Sequence, residues 1–549
     1  MRKNLLALFL VVTFILPSAA LAQKAVKITP AERQMAETIT AEQLKDYLYF
    51  VASDEMEGRD TPSRGLDLTA KFIATMLSRW GFKPAGDNGT FFQKIDLSRN
   101  AINAANTTVE IGGQRLVYGT DYIANASAGS ISNAPLVFGG NGWMIKSKNI
   151  EPLKDIDVRG KTVVIYTDNG PRGATYQELF ATGKQGEAWA DPMTYAKQKG
   201  AVGMIIVGTP NVLRNWERLR NQRERGNYGM DKMRPQTVGA PLPTVYISSK
   251  TAENLFNGET TSLANISETF GSNAAMPVFN FSSNKTASMN VSAQTEKTTT
   301  QNVVAIWEGS DPILKNEMVA IGAHYDHVGM NPNAPGEDKI WNGADDDGSG
   351  TVGVLAIAET LAKAKTRPKR SILFVWHTGE EKGLWGSDYF NKFPTVDLKN
   401  VIAQLNIDMI GRSKKPGDTN PKNKDLSGEN GIYVIGSEMM SSTLGAVTKQ
   451  TNSGYLNLGY DYRYDDPKDT NRFFFRSDHF NYAVNGIPIV FWFDGVHEDY
   501  HQPGDSPDKI DYQKMEKVTR TIFLTLWEVS DLKERPKIDK QLPPELTQR

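Results

Sequence analysis

The sequence contains no cysteine, and this absence limits the chemistry that the protein can perform. Without thiols there is no disulfide framework, no thiolate metal ligand and no cysteine nucleophile. Any metal must therefore be bound by Asp, Glu and the six His side chains. The net charge of −1, with both signs spread along the chain, gives no reason to expect nucleic acid or an anionic membrane surface as a partner.

Long apolar runs are also scarce. The one near the start, Leu5–Leu16, follows the basic residues Arg2 and Lys3 and precedes Ala20-Leu21-Ala22. This pattern is typical of a cleavable secretory signal, and the run is too short to span a bilayer, although a short membrane anchor is the alternative interpretation. We therefore predict that residues 1–22 are a signal peptide and that the protein is exported to the periplasm or the medium without a stable membrane anchor.

The 549 residues leave room for two or three domains, and the patterning changes along the chain. Apolar spacings predict helices at Ala31–Val51 and Leu66–Trp80, and short β-type runs dominate from about Ala134 to Thr260. We predict a small β-rich domain inserted into a main domain. The predicted boundaries are a signal at 1–22, the main domain at 23–130 and 266–535, the insert at 131–265, and a polar tail at 536–549.

From Asn302 onward, strand and helix patterns alternate. Strands are predicted at Met318–His324, Ser371–His377 and Val401–Gly411, with a helix at Gly350–Lys365. Near-continuous apolar strands alternating with helices indicate an α/β fold with a mostly parallel central sheet and helices on both faces. In such sheets the ligand site lies outside the carboxyl ends of the strands.

Polar residues stand at these strand ends. His324 closes the first strand in the sequence A-H-Y-D-H. Alternate residues of an extended chain face the same way, so Asp326 can orient the imidazole of His324 while its other nitrogen binds a metal. A lone His at a strand end is commonly structural, and the Asp two residues later is what favours a metal ligand.

Three adjacent carboxylates, Asp345–Asp347, precede the predicted helix at Gly350. They suit either helix capping or cation binding, and this stretch alone does not decide between them. A calcium loop does not fit, because Gly343 and Val354 stand where such a loop requires Asp and Glu.

Two further acidic motifs follow. Glu380 and Glu381 are adjacent after the second strand, so one can bind a metal while the other reaches a water molecule. A Glu pair on a solvated turn is the plain alternative. Asp408 lies in the otherwise apolar QLNIDMIG, where an ionised carboxylate needs a cation or hydrogen-bond donors.

The segment His497–His501 reads H-E-D-Y-H and matches the H-E-x-x-H signature of single-zinc proteases. That signature requires a helix, and Gly495 before it and Pro503-Gly504 after it leave almost no room for one. We therefore interpret His501 as an isolated ligand that follows the apolar run IPIVFWF.

Together these residues predict a metal site. Oxygen and imidazole ligands of this kind suit zinc or a related metal, and five ligands with one bridging carboxylate suit two ions. The predicted ligands are His324, Asp346, Glu381, Asp408 and His501.

The same motifs, in the same order, occur in a known family. The chain resembles the co-catalytic zinc exopeptidases of the M28 type, which include secreted bacterial aminopeptidases, through H-x-D, D-D-G-S-G, G-E-E, N-x-D-M-x-G and Y-H. The opening LYFVASDEMEGRD is also similar to the start of that catalytic domain, and the β-rich insert looks like a protease-associated domain. The resemblance thus implies that the main domain is a peptidase domain.

The resemblance implies a role for each motif residue. His324 and Asp408 would bind one Zn²⁺, Glu381 and His501 a second, and Asp346 would bridge the two. Glu380 would be the general base, Asp326 would orient His324, and Tyr500 would help to stabilise the oxyanion. The implied activity is hydrolysis of amino-terminal residues from peptide substrates by water that the two metals activate.

Other functions remain open at this stage. A carboxypeptidase of the same fold would need a cationic group for the substrate carboxylate, a glutaminyl cyclase-like enzyme would use a single zinc ion, and a peptide-binding protein would have a vestigial metal site. The aromatic residues Trp341, Trp376, Trp385 and Phe473–Phe475 fit either a side-chain pocket or the core. The sequence does not specify the preferred first residue of the substrate, the oligomeric state or the role of Arg476.

Overall fold

The computed structural model describes residues 26–234, 241–272 and 274–547. The predicted signal peptide at 1–22 lies outside these residues. The chain forms two compact units: one combines the chain up to Lys94 with the chain from Thr300 onward, and the other is Ile95–Thr299. We call them the split unit and the inserted unit.

The split unit contains a mixed sheet with a parallel centre. Parallel pairing joins Ser371–His377 to Met318–His324, that strand to Val401–Ile407, and Val401–Ile407 to Ile489–Phe493. Antiparallel neighbours flank this centre, with Val303–Trp307 on one side and Gly431–Ile435 on the other. Gly459–Asp461 then pairs in parallel with Gly431–Ile435. The predicted mostly parallel sheet is thus a mixed sheet, because only its centre is parallel and antiparallel strands flank that centre.

Helices cover both faces of this sheet. Along Met318–His324, Val319 and Ile321 belong to one buried apolar cluster, while Met318 and Ala320 belong to the other. Because successive side chains of a strand point to opposite faces, a continuously apolar strand needs an apolar layer on each side. The first cluster includes residues of the helices Ala41–Val51, Arg64–Arg79, Gly350–Lys363, Ser442–Gly454 and Tyr512–Asp531. The second includes residues of Trp385–Lys392 and His479–Val484.

Several predicted bounds differ from the structure. The predicted helix Ala31–Val51 is two helices, Pro30–Ala36 and Ala41–Val51, because Thr40 and Gln43 form a capping box that starts the second. The predicted strand Val401–Gly411 ends at Ile407, so Asp408 lies just beyond the strand and not within it. The backbone leaves the sheet there, and Met409 has a positive φ of 59°.

The inserted unit has a mixed sheet of its own. Gly129–Phe138, Thr162–Thr167, Gly203–Gly208 and Thr244–Ile247 run parallel in that order. Antiparallel strands complete the sheet on both sides: Thr286–Val291, Thr108–Ile111 and Gln114–Arg115 beyond the first of these, and Tyr122–Ala124 beyond the last. The helices of this unit are Tyr176–Thr182, Pro192–Gln198, Pro210–Leu213, Trp216–Arg225, Ser249–Phe256 and Leu263–Gly271.

The inserted unit extends beyond the predicted boundaries of 131 and 265. It begins at Ile95 and ends at Thr299 because Thr108–Ile111 pairs with Thr286–Val291, which in turn pairs with Gly129–Phe138. The first pairing joins residues 176–182 positions apart and the second joins residues 151–162 positions apart, so neither has a local signal in the sequence. In the described part of the chain, no helix combines the length and the apolar character needed to cross a membrane.

Candidate metal centre

The polar residues predicted at the strand ends lie at one edge of the sheet. His324 is the last residue of its strand, Glu380 and Glu381 follow Ser371–His377, and Asp408 follows Val401–Ile407. These three strands are parallel neighbours, so their carboxyl ends meet at the same edge. His501 arrives there on a loop after Ile489–Phe493.

The three adjacent carboxylates, Asp345–Asp347, contact different groups. Asp347 holds two strand ends: its Oδ2 accepts a hydrogen bond from the backbone N–H of His324 (3.1 Å) and its Oδ1 accepts one from Met409 (3.1 Å). Asp345 Oδ1 accepts from the backbone N–H of Gly411 (2.7 Å). Only the middle residue, Asp346, directs its carboxylate at the imidazoles of the site.

Asp346 faces two different histidines with its two oxygens. Its Oδ1 lies 3.3 Å from Nε2 of His324, and its Oδ2 lies 3.1 Å from Nε2 of His501. A carboxylate whose oxygens face separate donor groups is suited to bridging two cations.

The structure groups all five predicted ligands around this carboxylate. His324, Asp346 and Asp408 form one set of donors, and His327, Asp346, Glu381 and His501 form a second, with the donor atoms of each set within 4.8 Å of one another. The sequence reasoning missed His327. Its only signal was the second His of A-H-Y-D-H, three residues after His324.

These donor atoms fit a metal ion because they are buried without other partners. Among the described residues, His327 Nδ1, Asp346 Oδ2, Glu381 Oε1 and His501 Nε2 are all buried and lack a hydrogen bond of acceptable geometry. Leaving such groups unsatisfied costs about 1–3 kcal/mol each, and more for charged groups. A cation coordinated by these atoms would remove that cost.

The titration of the two ligand histidines depends on the same carboxylates. Burial lowers the pKa of His324, but the charge of Asp408 and the contacts with Asp326 and Asp346 raise it more, so the pKa lies well above its ordinary value. For His501, burial again lowers the pKa, while Asp346 and Glu381 raise it to about 10. Without a cation, the imidazoles of His324 and His501 therefore hold protons at neutral pH.

Asp326 contacts His324 in a way that differs from the predicted one. The backbone carbonyl of Asp326 lies 3.1 Å from Nδ1 of His324, whereas its carboxylate Oδ1 is 3.6 Å away. That Oδ1 accepts a hydrogen bond from the backbone N–H of Glu380 (3.1 Å). Asp326 thus fixes both His324 and the turn that carries the two glutamates.

A cavity of about 210 Å³ opens beside the donor groups. Its polar side includes Glu380, Glu381 and Asp408, and its apolar side includes Phe491 and Phe493. Burial and neighbouring carboxylates hold the pKa of Glu380 well above its ordinary value.

Tyr500 also lines the cavity. Its ring stacks on the ring of His501, with centroids 4.1 Å apart, and its hydroxyl accepts a hydrogen bond from Nη2 of Arg476 (3.1 Å). Phe473 and Arg476 complete this side of the cavity. Of the aromatic residues considered from the sequence, Phe473 lines the cavity, while Trp376 is fully buried in the core.

The H-E-x-x-H segment forms no helix, as predicted. Its two histidines contact different carboxylates: His497 Nε2 lies 3.2 Å from Oδ2 of Asp345, while His501 reaches Asp346. The single-zinc arrangement, in which both histidines bind one ion, is therefore not formed.

A fully buried arginine supports the backbone below the site. Arg59 donates hydrogen bonds to four carbonyl oxygens, those of Val51 (2.8 Å), Tyr325 (3.0 Å), Asn342 (2.6 Å) and Gly343 (2.8 Å). Burial lowers its pKa to about 10, against the opposing charges of nearby carboxylates such as Asp326. The guanidinium therefore remains a cation at neutral pH and ties together the segments on either side of the donor groups.

An α/β sheet with imidazoles and carboxylates gathered at its carboxyl edge is an arrangement suited to metal-dependent hydrolysis. Residues 302–526 match the model of peptidase family M28. This segment of the chain is therefore similar to a peptidase family M28 domain.

One curated relative and two solved structures that are similar to this chain are named aminopeptidases. Leucine aminopeptidase 2 of Arthroderma otae is 28% identical over 306 residues, which is 51% of this chain and 55% of that protein. The chain thus spans about half the length of this relative. An aminopeptidase from Aneurinibacillus sp. strain AM-1 is similar with a TM-score of 0.48 at 17% identity, covering 94% of this chain and 98% of that one. A zinc aminopeptidase from Bacillus subtilis has a TM-score of 0.44 at 18% identity, covering 92% and 99%.

Proposed function

We propose that this protein is a metallo-aminopeptidase that binds two zinc ions and removes amino-terminal residues from peptides. The observation that carries the proposal is the division of Asp346 between two donor sets, one with His324 and Asp408 and one with Glu381 and His501. The M28 match of residues 302–526 supports the same reaction class. The mixture of imidazole and carboxylate ligands favours zinc among the common metals.

Bound zinc ions would supply Lewis acidity and make a water molecule more acidic at neutral pH. In our proposal Glu380 accepts a proton from the attacking water and passes it to the nitrogen of the leaving peptide, so the proton is conserved. Glu380 lines the cavity, and its backbone is held by Asp326. Tyr500 is proposed to stabilise the developing oxyanion by donating a hydrogen bond from its hydroxyl, which keeps its proton.

The two sides of the cavity suit the two parts of an amino-terminal residue. The carboxylates of Glu380, Glu381 and Asp408 favour a positively charged α-amine, and the apolar side favours an aliphatic or aromatic side chain. We therefore propose a preference for unblocked peptides with a large apolar first residue. We also propose that residues 1–22 direct export and that the inserted unit is a protease-associated domain, which interrupts the sequence of the peptidase domain.

The proposal is tested with aminoacyl reporter substrates before and after chelation. Leucine and phenylalanine p-nitroanilides should be hydrolysed, their N-acetyl derivatives should not, and activity should return when zinc is added to the chelated protein. Hydrolysis that persists in metal-free protein would contradict the proposal.

One observation favours a second candidate. Arg476 stands at the same cavity and could pair with a substrate carboxylate, as a carboxypeptidase requires. Dipeptides blocked at one end distinguish the two activities. Cleavage of N-acetyl dipeptides with a free carboxylate, and not of dipeptide amides with a free amine, would establish the carboxypeptidase.

A further inference from the structure

His327 is buried inside the donor group that also contains Glu381 and His501. It is fully inaccessible to solvent, and its backbone N–H donates to the carbonyl of Arg59 (3.1 Å). Gly343 packs directly against it: a Cβ at that glycine would lie 2.5 Å from Cγ of His327. The imidazole of His327 is therefore closely packed by the backbone at Gly343, where only a glycine leaves room for it.

Both ring nitrogens of His327 lack a hydrogen-bond partner among the described residues. Nδ1 points into the centre, 2.9 Å from Oε1 of Glu381 and 3.7 Å from Oδ2 of Asp346. Buried polar atoms are usually satisfied. Both nitrogens of the buried His479 and His497 also lack a hydrogen bond, so what distinguishes His327 is that its Nδ1 faces two carboxylates of one donor set.

Four of the six distances among these donor atoms lie near the edge length of a coordination tetrahedron. His501 Nε2 lies 3.1 Å from Asp346 Oδ2 and 3.0 Å from Glu381 Oε1, in addition to the contacts of His327. Zinc–ligand bonds of about 2.0 Å in tetrahedral geometry place neighbouring ligand atoms roughly 3.3 Å apart. The four distances of 2.9, 3.0, 3.1 and 3.7 Å lie within about 0.4 Å of this value, as one ion bound by these atoms would require.

We propose that His327 is a fourth protein ligand, through Nδ1, to the ion held by Asp346, Glu381 and His501. This inference rests on the proposed function. It makes the two positions unequal: this one has four protein ligands, whereas the other has three among the residues that the structure describes, namely His324, Asp346 and Asp408. Four-coordinate protein sites are typically closed and structural, and three-ligand sites leave a position for water or substrate.

The different numbers of protein ligands at the two metal positions have a functional consequence. The four-ligand position holds its ion tightly and fixes the bridging Asp346, while the three-ligand position exchanges its ion more readily and is open to substrate. Partial chelation should therefore yield a one-metal protein whose remaining ion is bound by two imidazoles, those of His327 and His501. If the remaining ion were in the other position, it would have one imidazole, that of His324.

The test is X-ray absorption spectroscopy of the full-length protein after zinc loading and graded dialysis against a weak chelator. The spectrum of the one-metal form of the unaltered chain should contain two imidazoles on the retained zinc. One imidazole overturns the inference but leaves the two-zinc aminopeptidase intact. Failure of the chain to bind stoichiometric zinc overturns both.

A variant supplies a second measurement. His327→Asn should remove one imidazole from that spectrum and raise the dissociation constant of the tighter ion by about 100-fold or more, since loss of outer partners alone costs 10–100-fold. His479→Asn is the matched control, because His479 is fully buried and belongs to neither donor set, and its imidazole count should stay unchanged. A lower affinity for zinc in His327→Asn with an unchanged imidazole count would show that His327 only orients Glu381, and would overturn the inference.

Discussion

Asp505 Oδ2 accepts a hydrogen bond from the backbone N–H of Asp346 at 3.1 Å. The same carboxylate accepts from the N–H of Asp345 at 3.0 Å, and Asp505 is fully buried. It thus sets the position of the proposed bridging residue without belonging to either donor set. Replacing Asp505 with Ala should weaken zinc binding by about 10–100-fold, because outer partners of this kind orient the ligands.

This prediction is checked by competition with a chromophoric chelator, and activity is measured at saturating zinc. The matched control is Asp508→Ala, since Asp508 is an exposed carboxylate three residues away. Equal zinc affinity in the two variants would show that the hydrogen bond from Asp346 is not needed for metal binding.

Replacing Glu380 with Gln should leave two zinc ions bound and lower kcat by about 10²–10⁴-fold, the usual contribution of a general base. The amide keeps the size of the side chain but cannot accept the proton from water. The comparison variant is Glu381→Gln, which should instead lower the zinc content because Glu381 belongs to a donor set. Metal analysis and kinetics of both variants are required, and undiminished turnover in Glu380→Gln would remove this residue from the proposed mechanism.

Replacing Arg59 with Ala should lower the free energy of unfolding by about 3–5 kcal/mol, since four buried carbonyls lose their donors and nearby carboxylates lose a cation. Urea unfolding of the metal-free protein measures the change. Arg64→Ala is the control: its contact with Glu57 is a largely exposed ion pair, for which a change of about 0–1 kcal/mol is expected. Similar effects of the two substitutions would contradict the support that we assign to Arg59.

Zinc binding should release protons at pH 7. The pKa of His501 is raised to about 10 by Asp346 and Glu381, against the effect of burial, and that of His324 is also raised, so both imidazoles hold protons in the metal-free protein. An imidazole must lose its proton to bind a metal, so the affinity for zinc should rise as the pH rises. Calorimetry in buffers of different ionisation enthalpy counts the released protons, and a count of zero would contradict these protonation states.

Glu528 provides a test of stability against pH. Burial, and then the charges of Glu32 and Asp531, raise its pKa to about 7 in the folded protein. The folded state therefore binds this proton more tightly than the unfolded state, and stability is lost as the pH rises from about 4.3, the pKa of an unperturbed Glu, towards 7. Glu528→Gln should be more stable than the parent by about 1 kcal/mol at pH 8 and equally stable at pH 4, a difference reduced by the partial exposure of the side chain. Urea unfolding at both pH values measures this difference. A Glu528→Gln variant that is more stable than the parent only at pH 4 would contradict the assigned direction of the pKa shift.

Local patterns predicted the parts of the structure that depend on neighbouring residues. The strands Met318–His324 and Ser371–His377 have the predicted bounds, because continuous apolar character limited by polar residues is a property of the segment itself. The capping box of Thr40 and Gln43 was also present in the sequence, although the helix break that it causes was missed. The rule for the carboxyl ends of parallel strands then placed the candidate ligands together.

The sequence by itself thus determined the strands and helices around the centre and which motifs meet at its edge, since periodicity and the pairing of parallel strands are enough for both. Only the tertiary structure decided that Asp345 and Asp347 bind backbone N–H groups, that Asp346 faces two histidines, and that His327 joins one of the donor sets. Only the tertiary structure could place the ends of the inserted unit, at Ile95 and Thr299. The reason is the same in each case: the direction of a side chain and the partner of a distant strand depend on contacts between segments far apart in the chain, which no local pattern encodes.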